Sequence, residues 1–189
     1  MTALNPGAKP ATPRLPLLDE SADPVAAKII GDIRSRTGRV LNLHRMMAHA
    51  PGMMKASYDT AMVIRHELSL PRPLVELAIM RTAQLAGSDY EWHQHYPMAL
   101  ANGLSADQIG ALAAAQQSPL FSEAEKAALA FCEATVMGTD PAPDDFARLQ
   151  QHYKPRQIVE LAMLVSEYFA TARVIRVLGV PIENPSDAK

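Results

Sequence analysis

Apolar residues along this chain recur at three- and four-residue intervals, and the breaks between apolar segments carry helix start and stop signals. Asp23-Pro24 supplies an N-cap followed by proline at the first helical position, which predicts a helix running towards Gly38. A short apolar stretch, "VLNLHRMMAHA", stops at Pro51. The segment "PGMMKASYDTAMVIRHE" then places Met54, Tyr58, Ala61 and Met62 at helical spacing. "SLP" at 69–71 breaks this pattern, and "RPLVELAIMRTAQLAG" restarts a mostly apolar helix, expected from about Pro73 to Ala86. Gly87-Ser88-Asp89 either ends that helix or kinks it before "YEWHQHYPMALANG". Ser105-x-x-Gln108 and Ser122-x-x-Glu125 read as capping boxes, the second opening a helix up to Gly138. A short helix is expected from about Asp144, and a long one from "PRQIVELAML" to Gly179. Sustained period-two alternation is absent, as is any hairpin dipeptide between β-branched runs, so the expected fold is all-α.

One internal echo is visible. "PRPLVELAIM" at 71–80 and "PRQIVELAML" at 155–164 agree at six of ten positions, 84 residues apart, which favours a duplicated helical unit. In that alignment Glu76 falls on Glu160, whereas Glu91 falls on Ile175 and His95 on Gly179. The second copy lacks the polar patch, so one site per chain is expected.

At 189 residues the chain reads as one domain over 21–189, preceded by an extended arm over 1–20 that four prolines interrupt. That arm has no continuous apolar core of the secretory type. No apolar run is long enough for a membrane span, and a net charge of −2 offers no basic field for nucleic acid. A single cysteine, Cys132, excludes an intrachain disulfide, a zinc-thiolate cluster and a CxxC pair. A cytoplasmic location is expected.

The densest chemistry lies in "SDYEWHQHYP", 88–97. On a helix Ser88, Glu91 and His95 share a face, and Glu91 and His95 are one turn apart. A carboxylate there can orient an imidazole and raise its basicity, giving a general acid/base pair; the competing reading is a surface pair of little energetic value. Glu76, a lone carboxylate in "LVELAIM", either faces that pair across two helices or simply pairs with Arg72 or Arg81. Two carboxylates so close cannot both ionise cheaply, so one is expected to keep a proton near neutral pH or to share the charge of a protonated His95. His93 and His95 point about 200° apart on an ideal helix and cannot chelate one ion; a metal site from Glu76, Glu91 and His95 is geometrically possible, but no metal and no cofactor is the expectation. Tyr90, Trp92, Ser88 and His93 are candidate substrate contacts. Met46, Met47, Met53, Met54 and Met62 fill core or line an apolar pocket, His44, His49 and His66 look isolated, and Cys132 looks like an inert core thiol.

The strings "HAPGMMKAS" and "LSLPRPLVELAIMRTAQLAGSDYEWHQHYPMALANGLS" resemble the carboxymuconolactone decarboxylase / alkylhydroperoxidase D-like superfamily. The peroxidase branch of that family carries Glu, then Cys-x-x-Cys, then His four residues later. Glu76 and His95 match the ends of this pattern, while Ser88 and Glu91 stand where the cysteines would be. A dithiol peroxidase cycle is therefore impossible here. The resemblance implies a helical bundle, a trimeric or hexameric homo-oligomer, and proton transfer by Glu76, Glu91 and His95 on a small lactone or keto acid, by decarboxylation or isomerisation. The oxyanion stabiliser is open among Tyr90, His93 and Arg173. The alternatives are a peroxide-reducing oxidoreductase acting through Cys132 with an external thiol, and a non-catalytic helical ligand-binding or assembly module.

Overall fold

Helices begin where the sequence supplies a cap and end where it supplies a glycine. In the computed structural model, which describes residues 11–19 and 23–183, Asp23 accepts hydrogen bonds from the Val25 and Ala26 amides at 2.8 Å and opens α1 (Pro24–Thr37). There follow α2 (Asn42–Met47), α3 (Pro51–His66), α4 (Arg72–Ala86), α5 (Asp89–Ala101) and α6 (Ala106–Ala111), the last running into a 3-10 turn at Leu112–Ala114. The chain continues through α7 (Glu123–Met137), α8 (Pro143–His152) and α9 (Pro155–Leu178). Both expected capping boxes form, at Ser105 and Ser122. The fold is all-α, with no strand among the described residues. Most of the arm expected over 1–20 lies outside the described residues; 11–19 is non-helical. Among the described residues no helix is long and apolar enough to cross a membrane.

Two compact units are distinguishable. Described residues 68–174 form the first, in which α4 packs against α5 and α7, and α7 packs against α8. Helix α4 is buried around most of its circumference, with Leu74, Val75, Leu77, Ala78, Ile79 and Met80 all in the core. That is the pattern of a helix surrounded by others rather than one with a single apolar stripe. Glu76 sits fully buried in the middle of this run.

Gly87 decides the geometry of the next step. Its φ of +63° ends α4 in the left-handed region, and Ser88 immediately caps α5 by accepting from the Glu91 amide at 3.4 Å. The Ser88 amide donates back to the Ala83 carbonyl at 2.9 Å. The helix expected to end or kink here therefore ends, and a two-residue link folds α5 back onto α4.

The sequence echo has a structural counterpart. Arg72 pairs with Glu76 on α4, and Arg156 pairs with Glu160 one turn along α9, with an Nε–Oε1 distance of 2.7 Å. Glu160 meets no histidine. It accepts from the Ser69 amide at 2.8 Å and the Ser69 hydroxyl at 2.7 Å, clasping the turn that leads into α4. Burial opposes charge on Glu160, yet its bonds to Ser69 and Arg156 prevail and hold it below the ordinary carboxylate range.

The second unit comprises the described residues 11–19, 23–67 and 175–183. Helices α1 and α2 pack on α3. Ala26, Ile30, Ala48 and Met54 form its core, with Leu18, Ile29, Val40 and Met47 packed against them. Met46 is also buried, but Met53 is 67% exposed. Segment 11–19 is tied to the end of α9 by the Arg14 amide, which donates to the Leu178 carbonyl at 2.9 Å. Gly179 is required at that junction: its φ is +67°, and a Cβ there would lie 2.3 Å from the Thr12 carbonyl oxygen.

Candidate active site

The α4–α5 hairpin places Glu76 against His95, with Glu76 Oε2 at 3.0 Å from His95 Nδ1. The other carboxylate oxygen of Glu76 accepts from Arg72, one turn earlier on α4. The two partners foreseen as alternatives for Glu76 are thus both present, one on each oxygen. Arg81, the other basic candidate, instead pairs with Glu133 at 2.8 Å. An ionised carboxylate only accepts, so the Nδ1 atom of His95 donates, and the lone pair of the neutral ring lies on Nε2. No hydrogen bond engages Nε2 among the described residues. Tyr168 from α9 stands edge-on to the imidazole, with ring centroids 5.1 Å apart and planes at 80°.

Ser88, Glu91 and His95 share the inward face of α5, at 1%, 3% and 6% exposure. Glu91 does not fill its expected role. Neither of its carboxylate oxygens has a hydrogen-bond partner among the described residues, so it is Glu76, not Glu91, that orients His95. Burial pushes the Glu91 carboxyl up to about 8, and the Ser88 hydroxyl offsets part of that rise. A proton was expected on one carboxylate because of repulsion from the other. Desolvation is the cause instead, since Arg72 and His95 already compensate Glu76.

The flanking candidates separate by face. Tyr90 is buried at 4% exposure. Trp92 is partly buried and lies against Tyr96, ring centroids 6.4 Å apart. His93 is exposed on the face turned away from His95, as helical phase requires, and so stands apart from the buried cluster it was expected to serve. Arg173 is exposed and stacks on Phe169. Tyr168 and the buried Gln94 escaped the sequence reading. Tyr168 lies 73 residues beyond His95 in an apolar helix, where an aromatic side chain reads as packing; Gln94 was legible only as the one amide on the inward face of α5.

Cys132 is fully buried on α7, and burial pushes its thiol up to about 12. Such a thiol supplies almost no thiolate at neutral pH and no route for peroxide. Among the described residues no group of three His, Cys, Asp or Glu side chains is arranged to hold a metal ion.

Residues 51–134 match the model of the Carboxymuconolactone decarboxylase family. The uncharacterized protein YnjA of Escherichia coli (strain K12) is 35% identical over 82 residues, which are 42% of this chain and 44% of that protein. The chain thus matches less than half the length of that relative. An uncharacterized peroxidase-related protein from Silicibacter sp. TM1040 has the same fold, with a TM-score of 0.77 at 16% identity over 95% of each chain. A cysteine-to-alanine form of the debrominase Bmp8, in complex with 2,3,4-tribromopyrrole, gives a TM-score of 0.75 at 21% identity over 93% of this chain and 94% of that one.

The Glu91 proton has a consequence for stability. Between the ordinary carboxyl value of 4.5 and about 8, the unfolded chain ionises Glu91 while the folded chain keeps it neutral. Stability therefore falls as pH rises through that window and levels off above it, at up to about 1.4 kcal/mol per pH unit. Glu91→Gln removes this dependence. Urea unfolding at pH 5 and pH 8 should show the variant gaining on the parent by on the order of 2–4 kcal/mol at the higher pH. The same pH slope in both proteins would mean that Glu91 is ionised when folded.

Proposed function

We propose that this chain, whose residues 51–134 match the model of the Carboxymuconolactone decarboxylase family, is a cofactor-independent enzyme of that family that moves protons on a small lactone or keto acid. The observation that carries this reading is a buried His95–Glu76 pair one helical turn from a buried, protonated Glu91. An imidazole held through Nδ1 by a carboxylate and a carboxylic acid kept neutral by burial coexist on one helix face, the pairing that acid/base chemistry needs.

In this mechanism His95 Nε2 removes a proton from the carbon next to the substrate carbonyl. The C–H electron pair moves into the carbonyl, and the enolate oxygen is met by the Glu91 carboxylic acid. Returning the proton from His95 to a different carbon completes an isomerisation. In decarboxylation, the electrons of the C–CO₂ bond form the enolate, and His95, protonated, delivers the proton that replaces carbon dioxide. Glu76 does not meet substrate. It holds the imidazole in one tautomer and balances the charge when His95 becomes cationic, while Arg72 fixes Glu76. Ser88 is retained as a substrate contact on that face, the buried Tyr90 as a candidate contact from another side of α5, and Tyr168 of α9 is added. Bmp8, the fold neighbour that binds 2,3,4-tribromopyrrole, supports a small, flat ligand. Peroxide reduction through Cys132 is disfavoured by its burial.

The closed arrangement also supports a homo-oligomer, trimeric or hexameric, because Val159, Met163, Val174 and Val177 stand exposed along α9. Light scattering should give a multiple of the 20.5 kDa chain mass. A monomer at micromolar concentration would exclude it.

The activity is tested by following deuterium entry at carbons next to the carbonyl, in a panel of lactones and keto acids in deuterium oxide. At least one substrate should exchange, and His95→Gln should slow it about 100-fold or more, the usual scale for a general base. His93→Gln should change the rate little. The rate should also decline above about pH 8 as Glu91 loses its proton. No exchange across the panel, or exchange dependent on His93 rather than His95, would overturn the assignment.

A further inference from the structure

A second cluster of unmatched polar groups lies in the α1–α3 unit, among residues that looked isolated in the sequence. Tyr58 on α3 is 7% exposed, and its hydroxyl is buried with no hydrogen-bond partner among the described residues. Arg65, two turns along on the same face of α3, is partly buried; its Nε is fully buried and unpartnered. No hydrogen bond or ion pair engages its guanidinium among the described residues. His44 on α2 stands edge-on to Tyr58, ring centroids 6.3 Å apart.

The imidazole is committed to one tautomer. His44 Nδ1 accepts from the Leu41 amide at 3.1 Å, so the neutral ring carries its proton on Nε2, where no partner is present among the described residues. Burial first, and then the Arg65 charge, hold His44 down to about 4, with Arg39 acting in the same direction and Glu183 against it. Glu183 is itself engaged, accepting from the Asn42 amide at 2.7 Å. Three donors without a partner among the described residues therefore lie on α2 and α3: the buried Tyr58 phenol, the buried Arg65 Nε–H and the His44 Nε2–H. Buried donors without acceptors are costly, and natural structures satisfy nearly all of them.

We infer that Tyr58, Arg65 and His44 form a binding site for a small organic carboxylate. The Nε edge of an arginine matches the two oxygens of a carboxylate, and the phenol can bond the same group. Around His44 the charges of Arg65 and Arg39 are opposed by that of Glu183, a balance that suits a monoanion better than a phosphate dianion. Arg65 is only partly buried, which leaves the site an edge at the surface. The assignment is independent of the reaction at His95.

The test uses the full chain, ¹⁵N-labelled, titrated with sodium acetate at constant ionic strength. Acetamide serves as the neutral shape control and inorganic phosphate as the competing anion. Acetate should shift the Arg65 Nε–H resonance saturably and raise the His44 pKa from about 4, because an added anion offsets the Arg65 charge. Acetamide should do neither. Tyr58→Phe and Arg65→Gln should each weaken acetate binding about tenfold or more. Tyr58→Phe should raise the melting temperature of the unliganded protein, since it removes a buried hydroxyl that had no partner among the described residues. An absent or unsaturable shift, an equal response to acetamide, a tighter response to phosphate, or undiminished affinity in the variants would each overturn the proposal.

Discussion

A carboxylate buried in an apolar helix must be paid for by its partners, and Glu76 has two: Arg72 on one oxygen and His95 on the other. An uncompensated charge at that depth would cost several kcal/mol, of the order of 3–5 when one partner of a buried pair is removed. The surrounding architecture follows from meeting that demand. Arg72 comes from the same helix, one turn earlier, so local geometry alone supplies it. His95 must come from another helix. Gly87 ends α4 and Ser88 starts α5 with a minimal link, and this brings the ring back to the carboxylate. Glu160 and Arg156 steady the approach by gripping Ser69, just before α4 begins.

The same burial gives Glu91 the opposite character. Glu76 has its charge compensated, whereas the Glu91 carboxyl oxygens have no hydrogen-bond partner among the described residues and burial keeps the proton there. Two glutamates on neighbouring helices thus meet opposite environments, Glu76 engaged by Arg72 and His95 and Glu91 desolvated, which is how one site can offer a base and an acid together. The arrangement does not maximise stability, because Glu91 lowers it at and above neutral pH. Such a cost is commonly found where a site is organised for chemistry rather than for folding.

Much of this was legible in the residues themselves. A lone glutamate in "LVELAIM" could not be a casual surface charge, and helical phase placed Ser88, Glu91 and His95 on one face with His93 opposite. Periodicity and caps gave the helices to within a residue or two; α4 starts at Arg72 rather than Pro73. What failed was the assignment of partners. Glu91 is close to His95 along one helix, but reach across the hairpin decided the hydrogen bond in favour of Glu76. Sequence left open which carboxylate keeps a proton and traced it to charge repulsion, because burial depends on everything packed around a residue. Tyr168 escaped notice, and His44 and Tyr58 were read without their contact, for a related reason: contacts between helices leave no local periodic signal.

The central claim is that Glu76 fixes His95 in the tautomer with a bare Nε2. ¹⁵N NMR of imidazole-labelled protein near neutral pH reads this directly. His95 should show a protonated Nδ1, with a proton resonance displaced downfield by its bond to Glu76, and an unprotonated Nε2. In Glu76→Gln the downfield proton should disappear and the two tautomers should mix. A proton on Nε2 with Nδ1 bare, or a spectrum unchanged in Glu76→Gln, would contradict the account.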